Sequence, residues 1–219
     1  MKWPETIEQA RKIQKTLAAK VRCDPLPKTP RRIAGADAAF DKKRVFAAAC
    51  VYLFPEMTLQ DECCFVSLIG FPYIPGYLSF REGEAILHVL RLLKVKPDLI
   101  LIDGQGIAHP RGIGIASHIG VLLDLPTIGC AKSRLVGEFE DPGSKRGTRS
   151  PLRYQEKTVG AVVRTRDCVR PLFISPGHKI SLHHSVEIVL QTTRGFRIPE
   201  PLRRADILSK RVKREYSTG

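Results

Sequence analysis

DLILIDG, residues 98–104, places four aliphatic residues in a row between two aspartates. A run of this length without alternation predicts a strand buried on both faces, which is the parallel, central kind. Asp103 ends the run and Gly104 follows it. We therefore expect Asp103 at the carboxyl end of a central strand, where open α/β sheets build their sites, although an Asp-Gly step is also a common turn.

The residues before this strand predict an antiparallel meander followed by a helix. The β-rich runs, separated by short turns, are RRIAGADAAF (31–40), RVFAAACVYLF (44–54) and LQDECCFVSLIG (59–70). Residues from about 80 to about 94 have the periodicity of a helix that leads into the central strand. An opening helix within residues 1–25 is indicated by Thr6 and Gln9, which have the spacing of a capping box.

The residues after the central strand continue the alternation of helices and strands. The predicted elements are a helix from about 113 to about 123, the strands TIGCA (127–131), TVGAVVRT (158–165) and PLFIS (171–175), and a helix from about 181 to about 191. This order predicts an α/β fold, a ribonuclease H-like mixed sheet with flanking helices. We expect a single domain over residues 1–219, and the basic tail at residues 209–219 is a candidate for disorder.

The composition limits the class of protein. Apolar residues make up 43% and charged residues 26% of the chain, as in an ordinary globular protein. The first residues contain no apolar stretch followed by small residues, so a cytoplasmic location is expected, with no membrane partner. The six cysteines form no CxxC pair, which argues against a zinc site and against a disulfide framework.

The net charge of +14 favours a polyanionic partner, because a positive surface potential concentrates such a partner and speeds its association. Nucleic acid is the simplest partner of this kind. The charge alone does not separate that interpretation from a basic protein that is merely soluble.

Three acidic residues stand where the core is expected. Asp37 lies within the apolar strand IAGADAAF, Glu82 precedes a helical apolar stripe, and Asp103 ends the central strand. Burying an unpaired carboxylate costs several kcal/mol. Such a residue therefore requires a hydrogen-bond network, a basic partner or a metal ion. Alternatives for each alone are an Asp that caps a loop, a capping box between Ser79 and Glu82, and a turn. Together the three carboxylates predict a magnesium site that hydrolyses a phosphodiester.

The chain also resembles the endonuclease V family from about residue 30 to about residue 208. The motifs that carry the resemblance are IAGADAAF (33–40), PYIPGYLSFRE (72–82), DLILIDGQGIAHPRGIGIASHIGVLLDLPTIGCAKSRL (98–135), ISPGH (174–178) and RIPEPLRRAD (197–206). The resemblance implies a ribonuclease H-like, Mg²⁺-dependent enzyme in which Mn²⁺ substitutes. It also implies cleavage of DNA at the second phosphodiester 3′ to hypoxanthine and related deaminated bases, which leaves 3′-hydroxyl and 5′-phosphate ends and initiates repair.

The resemblance assigns roles to individual positions at the reaction centre. Asp37, Glu82 and Asp103 match the metal-binding carboxylates of the family. Asp206 matches a fourth position that is His in some members, although an ion pair with its basic neighbours would also explain it. Lys132 matches a lysine near the scissile phosphate, where its charge would stabilise the transition state.

Further positions match the family's nucleic-acid contacts. Tyr73, with Ile74 and Pro75, matches a wedge that enters the strand. The pocket for the everted base corresponds to Gly76, Leu78, Gly104 and Gly129. His109 is expected to donate to a phosphate oxygen, whereas His118 and His178 receive no chemical step.

Two other functions remain open at this stage. One is an inosine-specific endoribonuclease, since a protein can sense the 2′-hydroxyl group of RNA. The other is a nucleic-acid-binding module without catalysis, against which the four acidic positions argue. In each case we expect a monomer.

Overall fold

The computed structural model describes residues 3–218 and consists of one mixed sheet flanked by helices. The strands are β1 Arg32–Phe40, β2 Arg44–Leu53, β3 Thr58–Leu68, β4 Leu99–Ile102, β5 Thr127–Ala131, β6 Arg149–Tyr154, β7 Lys157–Val163 and β8 Leu172–His178. The helices are α1 Ile7–Ala18, α2 Leu78–Leu92, α3 Ile115–Leu123, α4 Leu182–Thr192 and α5 Glu200–Thr218. None of the helices within residues 3–218 is both long and apolar enough to cross a membrane.

The sheet has the order β3-β2-β1-β4-β5-β8-β7-β6. Its first three strands are the antiparallel meander that the sequence predicts, and β4 pairs in parallel with both β1 and β5. All four residues of β4 are buried, which confirms the prediction of a central strand. The mixed sheet with helices on both sides confirms the ribonuclease H-like fold.

Alternation along the strands separates two apolar layers. Ile100 and Ile102 of β4 pack with α2 and α3 on one face of the sheet. Leu99 and Leu101 pack on the other face, with residues of α4 and with Leu202 of α5. Successive side chains of a strand point to opposite faces, so the single run LILI supports helices on both sides.

Two elements differ from the sequence-based expectation. The first is β6, an edge strand that contains Pro151 and buries only Leu152, so it lacks the apolar alternation by which strands are recognised. The second is α5, because the prediction of a disordered tail at residues 209–219 is wrong up to residue 218, where the helix ends. Leu208 and Ser209 are buried at helical spacing from Leu202 and Ala205, and the many basic residues on the other face hide this pattern.

The start of α1 agrees with the sequence. The Thr6 hydroxyl accepts a hydrogen bond from the Gln9 N–H at 3.2 Å, as in a capping box. The Gln9 side chain reaches back one residue further than expected, to the Glu5 N–H at 2.9 Å. The helix itself ends at Ala18, well inside the expected range of 1–25.

Replacing Gly35 by alanine should destabilise the protein by about 1–3 kcal/mol or more, the usual cost of overpacking a filled interior. An added Cβ would overlap the backbone of Pro201, where α5 crosses β1. Gly70→Ala is the matched control, because nothing lies within 4 Å of its added Cβ. Denaturant unfolding measures both variants, and equal stability of Gly35→Ala and Gly70→Ala would contradict the close approach of helix and strand.

Candidate active site

Two of the predicted carboxylates are neighbours across a pair of parallel strands. Ala36 of β1 is in register with Ile102 of β4, so Asp37 comes opposite Asp103, the residue that directly follows β4. The Asp103 N–H donates to the Ala36 carbonyl at 3.4 Å and extends the pairing to this point. The preceding residues, Ala36 and Ile102, pack in the layer with α2 and α3, and successive side chains of a strand point to opposite faces. Asp37 and Asp103 therefore share the other face of the sheet, on which α5 lies.

The third carboxylate comes from a helix. Glu82 lies in the first turns of α2 and is buried, with Asp37 and Asp103 close enough to raise its pKa. The alternative of a capping box is wrong, because α2 is capped by Tyr77 without a side-chain hydrogen bond and the Ser79 hydroxyl has no partner. Glu82 therefore serves the cluster and not the helix terminus.

The fourth carboxylate, Asp206, lies on α5. Its carboxylate accepts a hydrogen bond from the Lys210 ammonium group at 2.8 Å and lies close to Asp37. Burial alone would raise the pKa of Asp206, but the hydrogen bond from Lys210 and then the neighbouring Asp37 carboxyl group lower it overall. The ion pair with Lys210 that the sequence suggested is present, and the contact with Asp37 brings Asp206 into the cluster as well. Four carboxylates from β1, α2, β4 and α5 thus come together.

The cation at this cluster is Lys132, which follows β5. Its ammonium group donates a hydrogen bond to Asp103. Burial acts to lower the pKa of Lys132, but the charge of Asp103 and the hydrogen bond to it outweigh this effect, so the pKa is raised overall. Arg197 holds the lysine from behind, because its guanidinium donates to the carbonyls of Lys132 at 2.9 Å and of Pro171 at 2.8 Å. Arg197 was not predicted as a site residue, because nothing in the sequence marks it as functional apart from its position in RIPEPLRRAD.

Negative charge exceeds positive charge at the cluster. Burial and then the charge of Asp103 raise the pKa of Asp37 to about 8, although Lys132 acts in the opposite direction. Burial, followed by the charges of Asp37 and Asp103, raises the pKa of Glu82 well above its ordinary value. Shifts of this kind, caused by desolvation and by specific charged neighbours, are typical of functional sites.

The donor set fits a hard divalent cation. All four acidic side chains offer oxygen, the ligand that Mg²⁺ and Mn²⁺ prefer, and a bound cation would relieve the repulsion that raises the pKa values. Within residues 3–218, no three His, Cys, Asp or Glu side chains already meet at one point that would hold a metal. The Lys132 ammonium group hydrogen-bonds to one Asp103 oxygen, so an ion that used this oxygen would have to displace it.

A cavity of about 350 Å³ adjoins the cluster, and Asp103 and Lys132 belong to its wall. Seven of the eight predicted nucleic-acid contacts line it: Tyr73, Ile74, Pro75, Gly76, Leu78, Gly104 and His109. Tyr73 is 67% exposed, so its ring stands in solvent at the cavity and is not an inward-packed loop anchor. The volume is at the lower end of the range for small-molecule sites.

Gly129 does not line the cavity. It lies in β5 beneath the loop after β4, and an added Cβ would overlap the backbone of residues 104–106. This close approach of two backbone segments explains why position 129 is a glycine, and it sets the position of the cavity floor. Gly104 does line the cavity, and it has a φ of 147° and an added Cβ only 2.6 Å from Ile115.

One carbonyl group fixes the loop that bears Tyr73. The Gly76 oxygen accepts hydrogen bonds from Gln14 at 2.9 Å, His109 Nε2 at 3.0 Å and Arg111 at 2.6 Å. His109 Nδ1 accepts from the Arg111 N–H, so the proton lies on Nε2, and burial lowers the pKa of His109 to about 4. Both ring nitrogens of His109 are used within the protein, so the predicted hydrogen bond from His109 to a phosphate would require one of these contacts to break.

Two polar residues of the cavity wall were not predicted. Gln105 donates to the Ser133 carbonyl at 3.0 Å, but its side-chain oxygen is buried without a partner. The Ser79 hydroxyl is buried and unpartnered as well. Both stand inside family motifs, yet only the structure shows that they face the same cavity. Buried polar atoms without partners are uncommon and call for an explanation.

The two histidines without a predicted chemical step lie outside the carboxylate cluster. His118 is buried in α3 and stacks on Trp3 with ring centroids 5.5 Å apart. His178 accepts a hydrogen bond from the Arg22 N–H and faces Asp124 at 3.4 Å. Their positions in the fold are consistent with packing and chain anchoring.

Comparison with known proteins agrees with the site. The sequence model of the Endonuclease V family matches residues 15–207. Endonuclease V of Geotalea uraniireducens is 46% identical over 213 residues, which is 97% of this chain and 91% of that protein. The crystal structure of Endonuclease V from Streptomyces avermitilis is 42% identical, with a TM-score of 0.93 over 98% of this chain and 96% of that one.

A third relative was solved with nucleic acid. Ciona intestinalis Endonuclease V, in complex with a 24mer DNA containing an inosine followed by a ribo-adenosine, is 28% identical with a TM-score of 0.84. The alignment covers 96% of this chain and 98% of that one.

A ribonuclease H-like sheet with clustered carboxylates beside a cavity defines a metal-dependent nuclease. Within that class the family model matches residues 15–207, which include all five motif regions found in the sequence. The chain belongs to the Endonuclease V family.

In the absence of divalent cations, the free energy of unfolding should decrease as the pH rises from about 4 to about 8. In that range the folded protein keeps the Asp37 proton that the unfolded chain has lost, so the stabilisation present at low pH disappears as the pH passes the raised pKa. Asp37→Asn should lack this component and be more stable than the wild type near pH 8 by about 1–3 kcal/mol.

Urea unfolding in the presence of a chelator, at about pH 5 and about pH 8, measures the effect. Asp24→Asn is the control, because Asp24 is exposed and forms its ion pair with Arg22, which is not part of the cluster. If Asp37→Asn shows the same pH dependence as the wild type, Asp37 does not carry the raised pKa.

Proposed function

We propose that this protein is an endonuclease that acts on DNA containing hypoxanthine and related deaminated bases, and so initiates their repair. It hydrolyses the second phosphodiester 3′ to the altered base and leaves 3′-hydroxyl and 5′-phosphate ends. The observation that carries the proposal is the adjacency of a four-carboxylate cluster and a cavity of about 350 Å³, with Asp103 and Lys132 shared between them.

The carboxylates would hold Mg²⁺, with Mn²⁺ able to replace it. Asp37 and Asp103 have the central places, Glu82 approaches from α2, and Asp206 from α5. A divalent ion in such a site lowers the pKa of a water molecule and stabilises a leaving oxygen. The Lys132 ammonium group would supply positive charge that stabilises the negative charge developing on the phosphate.

The cavity would take the altered base after its rotation out of the strand. The fixed loop presents Tyr73, Ile74 and Pro75 at the entrance, where the exposed ring enters the gap that the base leaves. Gly76 and Gly104 line the cavity with backbone at φ angles of 79° and 147°, which glycine adopts without strain, so their backbone groups can lie close to the ligand. The unpartnered oxygen of Gln105 and hydroxyl of Ser79 provide further polar atoms in the wall.

The relatives support the choice of substrate. Ciona intestinalis Endonuclease V binds an inosine-containing DNA in its crystal structure. The net charge of +14 suits a nucleic-acid backbone, whose phosphates attract Lys and Arg regardless of sequence. The ribo-adenosine in that complex keeps one second candidate open, an endonuclease for inosine in RNA.

Asp37→Ala and Asp103→Ala should each lower the cleavage rate of an inosine-containing DNA strand by at least about a hundredfold, because each removes an ion ligand. The cut position and the end groups are mapped on labelled strands with Mg²⁺, with Mn²⁺ and with a chelator. Asp98→Asn is the matched control, since Asp98 flanks β4 at its opposite end and pairs with Arg32. Retained cleavage in either alanine variant would eliminate the proposed mechanism.

The same assay with a matched inosine-containing RNA separates the two substrates. Faster cleavage of DNA supports the repair enzyme, and faster cleavage of RNA replaces it by the second candidate. Binding without cleavage of either strand would instead indicate a nucleic-acid-binding module.

Tyr73→Ala should weaken binding of inosine-containing duplex by about tenfold, within the range that stacking on an aromatic side chain contributes. Metal binding should stay unchanged, because the ring lies outside the carboxylate cluster. Fluorescence anisotropy with a chelator-treated enzyme measures the duplex, and Mn²⁺ titration measures the metal. Unchanged duplex affinity would remove the wedge role of Tyr73.

A further inference from the structure

A second exposed aromatic ring lies near the carboxylate cluster. Phe196 stands between α4 and α5 in the segment RGFR, residues 194–197, and is 47% exposed. Burying a phenylalanine side chain stabilises a protein, so this ring gives up part of that stabilisation. Nothing assigned to the reaction so far uses it.

The back of the ring is fixed by a guanidinium group. Arg203 lies with its Cζ 4.2 Å from the centre of the Phe196 ring. Arg203 is itself held by two hydrogen bonds to the Glu200 carboxylate, at 2.9 and 2.8 Å. The ring therefore has one face against a rigid, bidentate ion pair and presents the rest of its surface to solvent.

The segment is tied down on both sides of the ring. Arg194 donates to the Pro55 carbonyl at 2.9 Å, and Arg197 donates to the carbonyls of Lys132 and Pro171. Gly195 has a φ of 74°, which lets the chain turn between the two anchors. Phe196 is thus held in place before any ligand binds, so little conformational entropy would be lost on stacking.

The segment lies at the reaction centre but outside the cavity. Arg197 contacts Lys132 directly, and Arg203 is one helical turn before Asp206 on α5. The cavity wall contains Lys132 and Asp103 but no residue from 194 to 206. Phe196 therefore flanks the carboxylate cluster on a side that the cavity and Tyr73 do not occupy.

The surroundings of the ring carry positive charge. Burial and then the charge of nearby Arg170 lower the pKa of the Arg197 guanidinium, and Arg170 and Arg194 are both exposed. The acids Glu200, Asp206 and Asp103 are paired with Arg203, Lys210 and Lys132. An exposed aromatic ring among basic side chains is the arrangement with which proteins bind single-stranded nucleic acid, by stacking and by charge.

We propose that Phe196 is a stacking platform for a base of the cleaved strand on the 3′ side of the scissile phosphate. The inference rests on the proposed function, in which the altered base lies 5′ to the cut and enters the cavity. The strand then passes over the carboxylates, and the next exposed ring that it meets is Phe196. Exposed aromatic side chains would thus hold the strand on both sides of the cut.

A purely structural role predicts something different. Phe196 also covers Arg203 at the start of α5, the helix that bears Asp206. Leucine at position 196 would keep an apolar contact with Arg203 but would lose the flat face on which a base stacks. Tyrosine would keep both. The three substitutions Phe196→Ala, Phe196→Leu and Phe196→Tyr therefore separate the two roles.

The experiment combines these variants with a scan of abasic sites. Single-turnover cleavage and chelator-treated binding are measured on inosine-containing strands in which one nucleotide 3′ of the cut at a time lacks its base. In the wild type, one position should weaken binding by about tenfold when its base is removed. Phe196→Ala and Phe196→Leu should weaken binding of the complete strand by a similar factor and be insensitive to that abasic position, with the single-turnover rate at saturation little changed.

Tyr216→Ala is the matched control. Tyr216 is 52% exposed, lies on the same helix and has Arg44 over its ring, but it is ten residues beyond Asp206, about 15 Å along the axis. This variant should keep the wild-type response to every abasic position, and Phe196→Tyr should keep it as well.

Three results would overturn the stacking platform. The first is that Phe196→Ala weakens binding but keeps the wild-type sensitivity to every abasic position. The second is full binding affinity in Phe196→Ala. The third is a loss of affinity in Phe196→Ala that Phe196→Leu restores. A wild-type protein that leaves inosine-containing strands uncut would refute the proposed function itself. That outcome is distinct, because it is scored on the wild type alone.

Discussion

Four carboxylates and one lysine lie close together in a partly buried site, and the fold must oppose the repulsion among the acids. Asp37 and Asp103 are the fixed pair, because the parallel register of β1 and β4 sets their spacing through the backbone. Side-chain rotations elsewhere in the chain leave this spacing unchanged, because backbone pairing of the two strands sets it. Glu82 and Asp206 then close the cluster from α2 and α5, one from each side of the sheet.

The energy that holds these charges comes from the apolar layers. Residues on alternate positions of β1 and β4 join the layer under α2 and α3 and the layer under α4 and α5. The same strands that carry the acids are therefore buried on both faces directly below them. Active sites commonly give up stability in this way, and a cation that binds only the folded state returns part of it.

The cluster and the cavity are mechanically connected. Lys132 contacts Asp103 with its ammonium group, lines the cavity, and receives Arg197 at its carbonyl oxygen. On the opposite wall, the Gly76 carbonyl with its three donors fixes the loop of Tyr73. Both groups that would contact nucleic acid near the reacting phosphate are thus set in place by hydrogen bonds before a strand arrives.

The sequence predicts the frame of the fold well because the frame depends on local patterns. The run LILI, the meander and the helix periods were all confirmed, whereas β6 and α5 were missed because an edge strand and a highly charged helix have weak apolar patterns. Asp37, Glu82 and Asp103 could be found because each is an acidic residue at a position where the sequence pattern predicts burial. The sequence pattern could not reveal Gln105, Ser79 or Arg197, since their importance lies in contacts between distant segments. It also could not foresee that His109 uses both ring nitrogens internally.

The most direct test of the account is a crystal structure with Mn²⁺, in which anomalous scattering locates the ion. We expect a peak coordinated by Asp37 and Asp103, with Glu82 or Asp206 beside it, and with the Lys132 ammonium group moved away from Asp103. A peak only at other residues, or the Lys132–Asp103 contact intact with no ion between the carboxylates at saturating Mn²⁺, would contradict the claim that this cluster is a metal centre.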